Sequence, residues 1–225
     1  MEKAVLFDMD GILYDSELQY ARVTEQVMRN LGYTGPSEAL YDTIGCTADG
    51  TWQILYDLLD GNCSRHEIEM AWKEYNQSHP IDYRAIMFDD IPETLRTLKE
   101  NGFRMACCSS SSKRVILDSL RDMGIENYFD VVISGEEIDH PKPEPDIYLL
   151  AARQLNTLPE NCVVYEDSRI GIEAGRRAGM KVIGRRDTRF NQNQSAAHCL
   201  VENAGEMCRI ACQGRIPSDG KSYKN

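Results

Sequence analysis

Short apolar runs alternate with longer amphipathic stretches along most of the chain. Five runs have the composition of buried strands, at 4–8, 105–109, 131–134, 163–166 and 182–183. Between them, apolar residues recur at three-to-four spacing, which is typical of helices; these stretches are 92–101, 113–123, 145–154 and 171–178. The alternation predicts an α/β fold, a doubly wound, Rossmann-like parallel sheet with helices on both faces.

One long stretch breaks this alternation. Three helical patterns follow one another at 20–31, 50–59 and 65–77 without a strand-like run between them. We therefore predict that residues 16–82 form a small α-helical insert. Residues 1–15 and 83–225 then form the α/β core.

Two acids, Asp8 and Asp10, end the first predicted strand, and Gly11 follows them. Carboxylates this close repel each other, and a divalent cation relieves the repulsion. Mg²⁺ suits such hard oxygen ligands and pairs with phosphate oxygens. One carboxylate can then act as a nucleophile while the other moves a proton.

Polar clusters end three further predicted strands. They are the serine run 109–112 with Lys113, Lys142 between two prolines, and the pair Glu166 and Asp167. Each cluster by itself is explained by an ordinary structural role, because serines and acids often cap helices and a lysine in a loop is usually solvated. Together they fall at the same edge of the predicted sheet, where parallel strands present their carboxyl ends to a ligand.

The four motifs resemble those of the haloacid dehalogenase superfamily, and the resemblance covers nearly the whole chain. It looks closest to the branch of β-phosphoglucomutase-like proteins and sugar phosphatases, whose small helical cap is inserted after the first motif. The residues that carry it are Asp8-Met9-Asp10-Gly11, Ser110 (or Ser109, since the serine run leaves the register open), Lys142, and Glu166-Asp167.

The resemblance implies catalytic roles for Asp8, Asp10, Ser110 and Lys142. Asp8 would be the nucleophile that forms an aspartyl-phosphate, and Asp10 the acid and base. Ser110 and Lys142 would hold the phosphoryl group. The cofactor would be Mg²⁺, with Asp8, Asp10 (through its backbone carbonyl), Glu166 and Asp167 as its ligands.

Substrate contacts are expected from two places. In the core they are Ser109, Ser111 and Lys113, the last because it aligns with a phosphate-contacting lysine of some relatives. In the insert they are Thr47 and Asp49, which follow from the position of the cap loop in the resembled family.

The favoured function is a Mg²⁺-dependent phosphatase acting on a small phosphorylated metabolite, most simply a sugar phosphate. A β-phosphoglucomutase-type mutase is the alternative, although the arginine that grips the second phosphate in that family aligns here with Ala48. A catalytically idle binding or scaffolding protein is an alternative of another class, because fold alone does not imply function.

The composition disfavours two classes of binding partner, nucleic acids and membranes. The net charge of −11 disfavours a nucleic-acid surface, which needs clustered Lys and Arg. No window approaches the ~18 consecutive apolar residues of a membrane span, and Met1-Glu2-Lys3 leads into the first strand without a signal-peptide pattern. We expect a cytoplasmic monomer whose partner is its small phosphorylated substrate.

Overall fold

The computed structural model describes residues 3–43, 48–189, 193–214 and 216. The described residues divide into two compact units. One comprises Met1–Asp15 and Tyr83–Asn225, and the other comprises Ser16–Asp82.

The first unit is built on a parallel sheet, in which the described residues form six strands. They are β1 (Lys3–Phe7), β2 (Phe103–Ser109), β3 (Val131–Ser134), β4 (Cys162–Glu166), β5 (Lys181–Arg185) and β6 (Cys199–Val201). Their order across the sheet is β3-β2-β1-β4-β5-β6. The order reverses direction between β1 and β4, and in open α/β sheets ligands bind outside the carboxyl ends of strands at such a switch point.

Helices cover both faces of this sheet. The helices of this unit are α4 (Tyr83–Ile86), α5 (Ile91–Glu100), α6 (Lys113–Met123), α7 (Asp146–Gln154), α8 (Arg169–Arg177) and α9 (Ala204–Gln213). Alternate strand residues enter separate cores because successive side chains of a strand point to opposite faces. Phe7 and Tyr165 join a cluster with α5, α6 and α9, whereas Leu6 and Val164 join a cluster with α7 and α8.

The described part of the second unit consists of helices and the turns between them. It contains α1 (Ser16–Asn30), a 3₁₀ helix at Ser37–Thr43, α2 (Ala48–Leu58) and α3 (Arg65–Ser78). Met28, Leu55 and Ile68 contribute to its own small apolar core. The start of α3 has a capping box, in which the side chain of Ser64 accepts from the Glu67 amide and the side chain of Glu67 accepts from the Ser64 amide.

The predicted fold class is confirmed, since the sheet is parallel and helices lie on both faces. The sequence pattern missed β6, which has three residues, and α4, which has four. Elements this short give too few positions for a period to emerge. No described helix has the length and apolar character that a membrane crossing requires.

Candidate active site

Asp8 lies immediately after β1, between the ends of two neighbouring strands. Its backbone amide donates a hydrogen bond to the carbonyl oxygen of Tyr165 in β4 (3.0 Å), which continues the ladder one step beyond the paired residues. The side chain of Asp8 is buried. The sheet therefore fixes the main chain of Asp8 at its carboxyl edge.

Lys142 brings a buried positive charge to Asp8. Its Nζ donates to Asp8 Oδ1 (2.5 Å), to Glu166 Oε1 (2.9 Å) and to the carbonyl oxygen of Cys108 (3.3 Å). Only 3 % of the lysine side chain is exposed. The ammonium also lies 5.0 Å from the centre of the Tyr148 ring, an arrangement that favours a cation. Lys142 thus connects the ends of β1, β2 and β4.

Glu166 ends β4, and its carboxylate has several donors. Oε1 accepts from Tyr148 (3.1 Å) as well as from Lys142, and Oε2 accepts from the amide (2.8 Å) and hydroxyl (3.0 Å) of Ser168, the N-cap of α8. The carboxylate lies against Gly171, where a Cβ would come within 1.4 Å of Oε1. A glycine in the first turn of α8 is therefore required for Glu166 to occupy this position.

Asp167 completes a group of three acids. Oxygens of Asp8, Glu166 and Asp167 all lie within 4.8 Å of one another. Asp167 packs against Gly11, whose φ of +69° suits glycine and where a Cβ would lie 2.1 Å from Asp167 Oδ2. The first motif thus needs its glycine both for the turn and to leave room for an acid of the last motif.

The electrostatics of this cluster follow from its burial. Burial, with the nearby acids Glu166 and Asp10, raises the pKa of Asp8 to about 7 against the opposing charge of Lys142. Burial acts to lower the pKa of Lys142, but Asp8 and Glu166 outweigh it and raise that pKa well above its ordinary value. The lysine accordingly stays protonated.

Asp10 has different neighbours. The hydroxyl of Tyr14 donates to Asp10 Oδ1 (3.0 Å), and the hydroxyl of Ser111 lies 3.5 Å from Oδ2. The side chain of Asp10 is not in the group of three acids. Metal binding by the backbone carbonyl of Asp10, which the family resemblance implies, therefore stays a prediction.

These geometries can be set beside proteins of known family. Residues 5–185 match the haloacid dehalogenase-like hydrolase family. The chain belongs to that family. The sequence resemblance is therefore confirmed.

Two curated relatives of this hydrolase are phosphatases. A phosphorylated carbohydrates phosphatase from Thermotoga maritima is 31 % identical over 183 residues, covering 80 % of this chain and 83 % of the relative. A fructose-1-phosphate phosphatase from Escherichia coli is 28 % identical over 183 residues, covering 80 % of this chain and 94 % of the relative.

Solved structures of similar proteins share the fold of this hydrolase. A candidate β-phosphoglucomutase from Thermotoga maritima has a TM-score of 0.80 at 29 % identity, over 95 % of this chain and 99 % of that one. A haloacid dehalogenase family hydrolase from Deinococcus radiodurans, solved with bound phosphate and sodium, has a TM-score of 0.79 at 26 % identity, over 96 % of this chain and 99 % of that one.

The serine run of the hydrolase is ordered by its own hydrogen bonds. Ser109 is buried, and its hydroxyl accepts from the Ser111 amide (3.1 Å). Ser110 is exposed, and Ser112 caps α6. Of the two serines left open by the sequence, Ser109 therefore already has a structural role, whereas Ser110 presents its side chain to solvent.

Lys113 makes contacts other than those expected from the sequence. Its Nζ donates to the carbonyl oxygen of Val132 and to Glu137 Oε1 (2.9 Å), and its backbone amide donates to Glu136 Oε2 (2.9 Å). The lysine thus holds the end of β3 and the turn after it. Sequence alignment could not reveal this because the partners come from about 20 residues further along the chain.

The insert residues lie in the second unit. Thr47 is outside the described residues. Asp49 is exposed in the first turn of α2 and pairs with Arg65 of α3. The ion pair with Arg65 gives Asp49 a structural contact, and its role toward substrate stays a prediction.

Two site residues were missed by sequence reasoning. Tyr148, fully buried in α7, bonds Glu166, and Tyr14 bonds Asp10. In the sequence, each of these tyrosines has the pattern of an ordinary buried aromatic residue. Only their proximity to an acid in the folded chain distinguishes them.

The three grouped acids suit a divalent cation. Buried carboxylates gathered this closely are costly unless a positive charge compensates them. Lys142 supplies one charge against the charges of Asp8, Glu166 and Asp167. The all-oxygen donor set fits Mg²⁺ better than softer metals.

Proposed function

We propose that the protein is a Mg²⁺-dependent phosphatase of small phosphorylated carbohydrates that works through an aspartyl-phosphate on Asp8. The observation that carries the proposal is the contact of Lys142 with Asp8 beside Glu166 and Asp167. That contact supports the proposal, because a carboxylate suited to nucleophilic attack lies against a fixed cation and next to acids suited to a metal. Phosphoryl transfer asks a protein mainly for positioning and charge neutralisation.

Asp8 is the residue that we assign to bond formation. Lys142 binds Oδ1, so Oδ2 is the oxygen that attacks phosphorus. As the new oxygen–phosphorus bond forms, the bond from phosphorus to the sugar oxygen breaks. Water then attacks the same phosphorus, releasing inorganic phosphate and restoring the Asp8 carboxylate.

Asp10 is the residue that we assign to proton transfer. It gives a proton to the leaving sugar oxygen and later takes one from the attacking water, so that it ends each cycle as it began. The Tyr14 hydroxyl, 3.0 Å from Oδ1, orients the carboxylate, and we assign the proton to Oδ2, which lies 3.5 Å from the Ser111 hydroxyl.

Charge on the phosphoryl group needs a counterpart on the protein. Lys142 supplies one fixed positive charge, and burial strengthens its effect because little solvent screens it. A Mg²⁺ ion held by Asp8, Glu166 and Asp167 would supply further neutralisation of the phosphoryl oxygens.

The substrate class comes from the relatives. The Thermotoga maritima relative acts on phosphorylated carbohydrates and the Escherichia coli relative on fructose 1-phosphate. A mutase is the second candidate, because the candidate β-phosphoglucomutase from Thermotoga maritima shares the fold at a TM-score of 0.80. The absence of an arginine at Ala48 favours the phosphatase.

The test is steady-state phosphate release from a panel of hexose, pentose and polyol phosphates and phosphoglycolate, with and without Mg²⁺. Isomerisation of β-glucose 1-phosphate, primed with the bisphosphate, is measured in parallel. Mg²⁺-dependent phosphate release dominated by a sugar phosphate, and lost in Asp8→Asn, is the expected result. Isomerisation without net phosphate release would establish the mutase, and turnover retained by Asp8→Asn would overturn the assignment.

A further inference from the structure

The ladder between β4 and β5 ends next to the acid cluster. Its last paired residues are Glu166 and Gly184. Beyond them, Asp167 is the first residue of the turn that follows β4, and Arg185 is the last residue of β5, where it pairs with Val201 of β6. Asp167 is one of the three grouped acids, so the geometry of this turn sets the position of a metal ligand.

The side chain of Gln194 bridges these two residues. Its Nε2 donates to the carbonyl oxygen of Asp167 (2.5 Å) and to that of Arg185 (2.6 Å), and its Oε1 accepts from the amide of Asp187 (3.3 Å). Gln194 is buried. A primary amide suits this place because it carries two N–H donors on one nitrogen and an acceptor on the neighbouring oxygen.

Arg185 reinforces the same corner from its side chain. The guanidinium stacks on Phe88 at 3.8 Å from the ring centre and donates to the carbonyl oxygen of Gly11 (3.3 Å). Gly11 in turn packs against the carboxylate of Asp167. Gln194 thus holds the carbonyl group of Asp167, and Arg185 holds the backbone of Gly11, which lies beside the Asp167 carboxylate.

We propose that Gln194 is a positioning residue for Mg²⁺ binding, because it joins the Asp167 and Arg185 carbonyl groups and thereby fixes the Asp167 carboxylate toward Asp8 and Glu166. The inference rests on the proposed metal-dependent function. Gln194 lies beyond residues 5–185, which match the family, and it touches neither substrate nor reacting atoms in the assigned chemistry.

The substitution Gln194→Glu separates the effect of charge from that of hydrogen bonding, because the two should change the affinity for Mg²⁺ in opposite directions. Gln194→Glu keeps the shape and the acceptor for Asp187 but removes both N–H donors and sets a carboxylate against two carbonyl oxygens. The added negative charge alone would attract Mg²⁺ more strongly. Weaker binding would therefore report lost positioning and not a change in charge.

Asn193→Asp is the matched control. It makes the same amide-to-acid change one residue away, on an exposed side chain whose Oδ1 accepts from the amide and hydroxyl of Ser195. An aspartate retains both of those acceptor contacts. The control thus carries the added charge without loss of a donor at the metal end.

The experiment is calorimetric titration of Mg²⁺ into metal-free wild type, Gln194→Glu and Asn193→Asp. We expect a Kd about tenfold weaker in Gln194→Glu, in the range found for groups that orient metal ligands. Asn193→Asp should stay within about twofold of wild type, as surface substitutions usually do. Equal affinity of Gln194→Glu and wild type would overturn the inference alone, whereas a wild type that binds no Mg²⁺ would remove the proposed function and the inference with it.

A second measurement does not depend on the folding of a variant. In amide spectra of the wild type, the Nε2 protons of Gln194 should exchange slowly with solvent and shift when Mg²⁺ is added, whereas those of Asn193 should do neither. Rapid exchange and an unchanged Gln194 signal would overturn the inference.

Discussion

Two lysines at the same edge of the sheet lie in different surroundings. Lys142 is 3 % exposed in its side chain and contacts two buried acids, Asp8 and Glu166. Lys113 is 37 % exposed and contacts Glu137, which is equally exposed, and a strand carbonyl. Sequence motifs gave both lysines a role toward phosphate.

The difference shows how burial decides what a charge can do. Around Lys142 little solvent screens the charges, so removing one partner leaves the others uncompensated. Around Lys113 water solvates both charges, and such pairs contribute little to stability. The surroundings favour Lys142 as the cation that acts on the transferred phosphoryl group, and Lys113 as a support for the end of β3.

The largest effect is expected from Lys142→Met. It removes the positive charge that lies against the Asp8 carboxylate. This should lower kcat/KM by about 10³-fold, as loss of a fixed charge at a reacting centre does. It also leaves Asp8 and Glu166 buried without their shared cation, which should destabilise the fold by about 3–5 kcal/mol. Phosphate release in the presence of Mg²⁺ measures the loss of activity. Urea unfolding in metal-free buffer at neutral pH measures the loss of stability. Near wild-type activity would remove Lys142 from the mechanism.

Gly171→Ala should have the next largest effect. The new Cβ would lie 1.4 Å from Glu166 Oε1 and must displace a carboxylate that Lys142 and Tyr148 hold. We expect a loss of about 1–3 kcal/mol, typical of overpacking, together with weaker Mg²⁺ binding.

Gly205→Ala in α9 is the control for that substitution. Its Cβ would meet Asn203 Oδ1 at 3.5 Å, an ordinary contact, so stability should hold or rise through helix propensity. Thermal unfolding of both variants with and without Mg²⁺ separates them. Equal behaviour of the two would contradict the steric argument at Gly171.

The pH dependence of Mg²⁺ binding should follow Asp8. Its pKa is about 7 in the folded, metal-free protein, against an ordinary value of 3.8. The folded state therefore holds a proton between these values, and this contribution to stability is present at low pH and lost as the pH rises through about 7.

Mg²⁺ should reverse that trend because it binds the deprotonated carboxylate. Its affinity should rise by up to about tenfold per pH unit below pH 7 and level off above it. Titrations between pH 5.5 and 8, with Asp8→Asn as control, measure this. A flat profile in the wild type would show that Asp8 does not release a proton on metal binding.

The smallest effect is expected from Lys113→Met. Its exposed pair with Glu137 should be worth no more than about 1 kcal/mol, and activity should stay within a fewfold of wild type. The same amino-acid exchange at Lys142 provides the contrast. A loss of activity at Lys113 as large as that at Lys142 would restore the substrate role predicted from the motif.

The sequence predicted the strands that carry the motifs, because their apolar runs end in polar groups. It also predicted where several helices end, because a glycine follows each of them. It further predicted that Asp8, Glu166 and Asp167 would lie together, since parallel strands present their carboxyl ends at one edge, whereas the metal contact expected of Asp10 through its backbone carbonyl stays a prediction. It did not predict Tyr148 or Gln194, because one reads as core and the other as part of a polar loop. Their roles depend on contacts with Glu166 and Asp167 that only the folded chain creates.

The central claim is that Asp8 becomes covalently phosphorylated while Lys142 holds its other oxygen. The most direct test mixes enzyme with the preferred sugar phosphate and Mg²⁺, quenches in acid within one turnover, and maps the phosphoryl group by peptide mass. The account predicts phosphorylation at Asp8 that disappears as water completes the cycle. A phosphoryl group on another residue, or turnover with no covalent adduct at any time point, would contradict it.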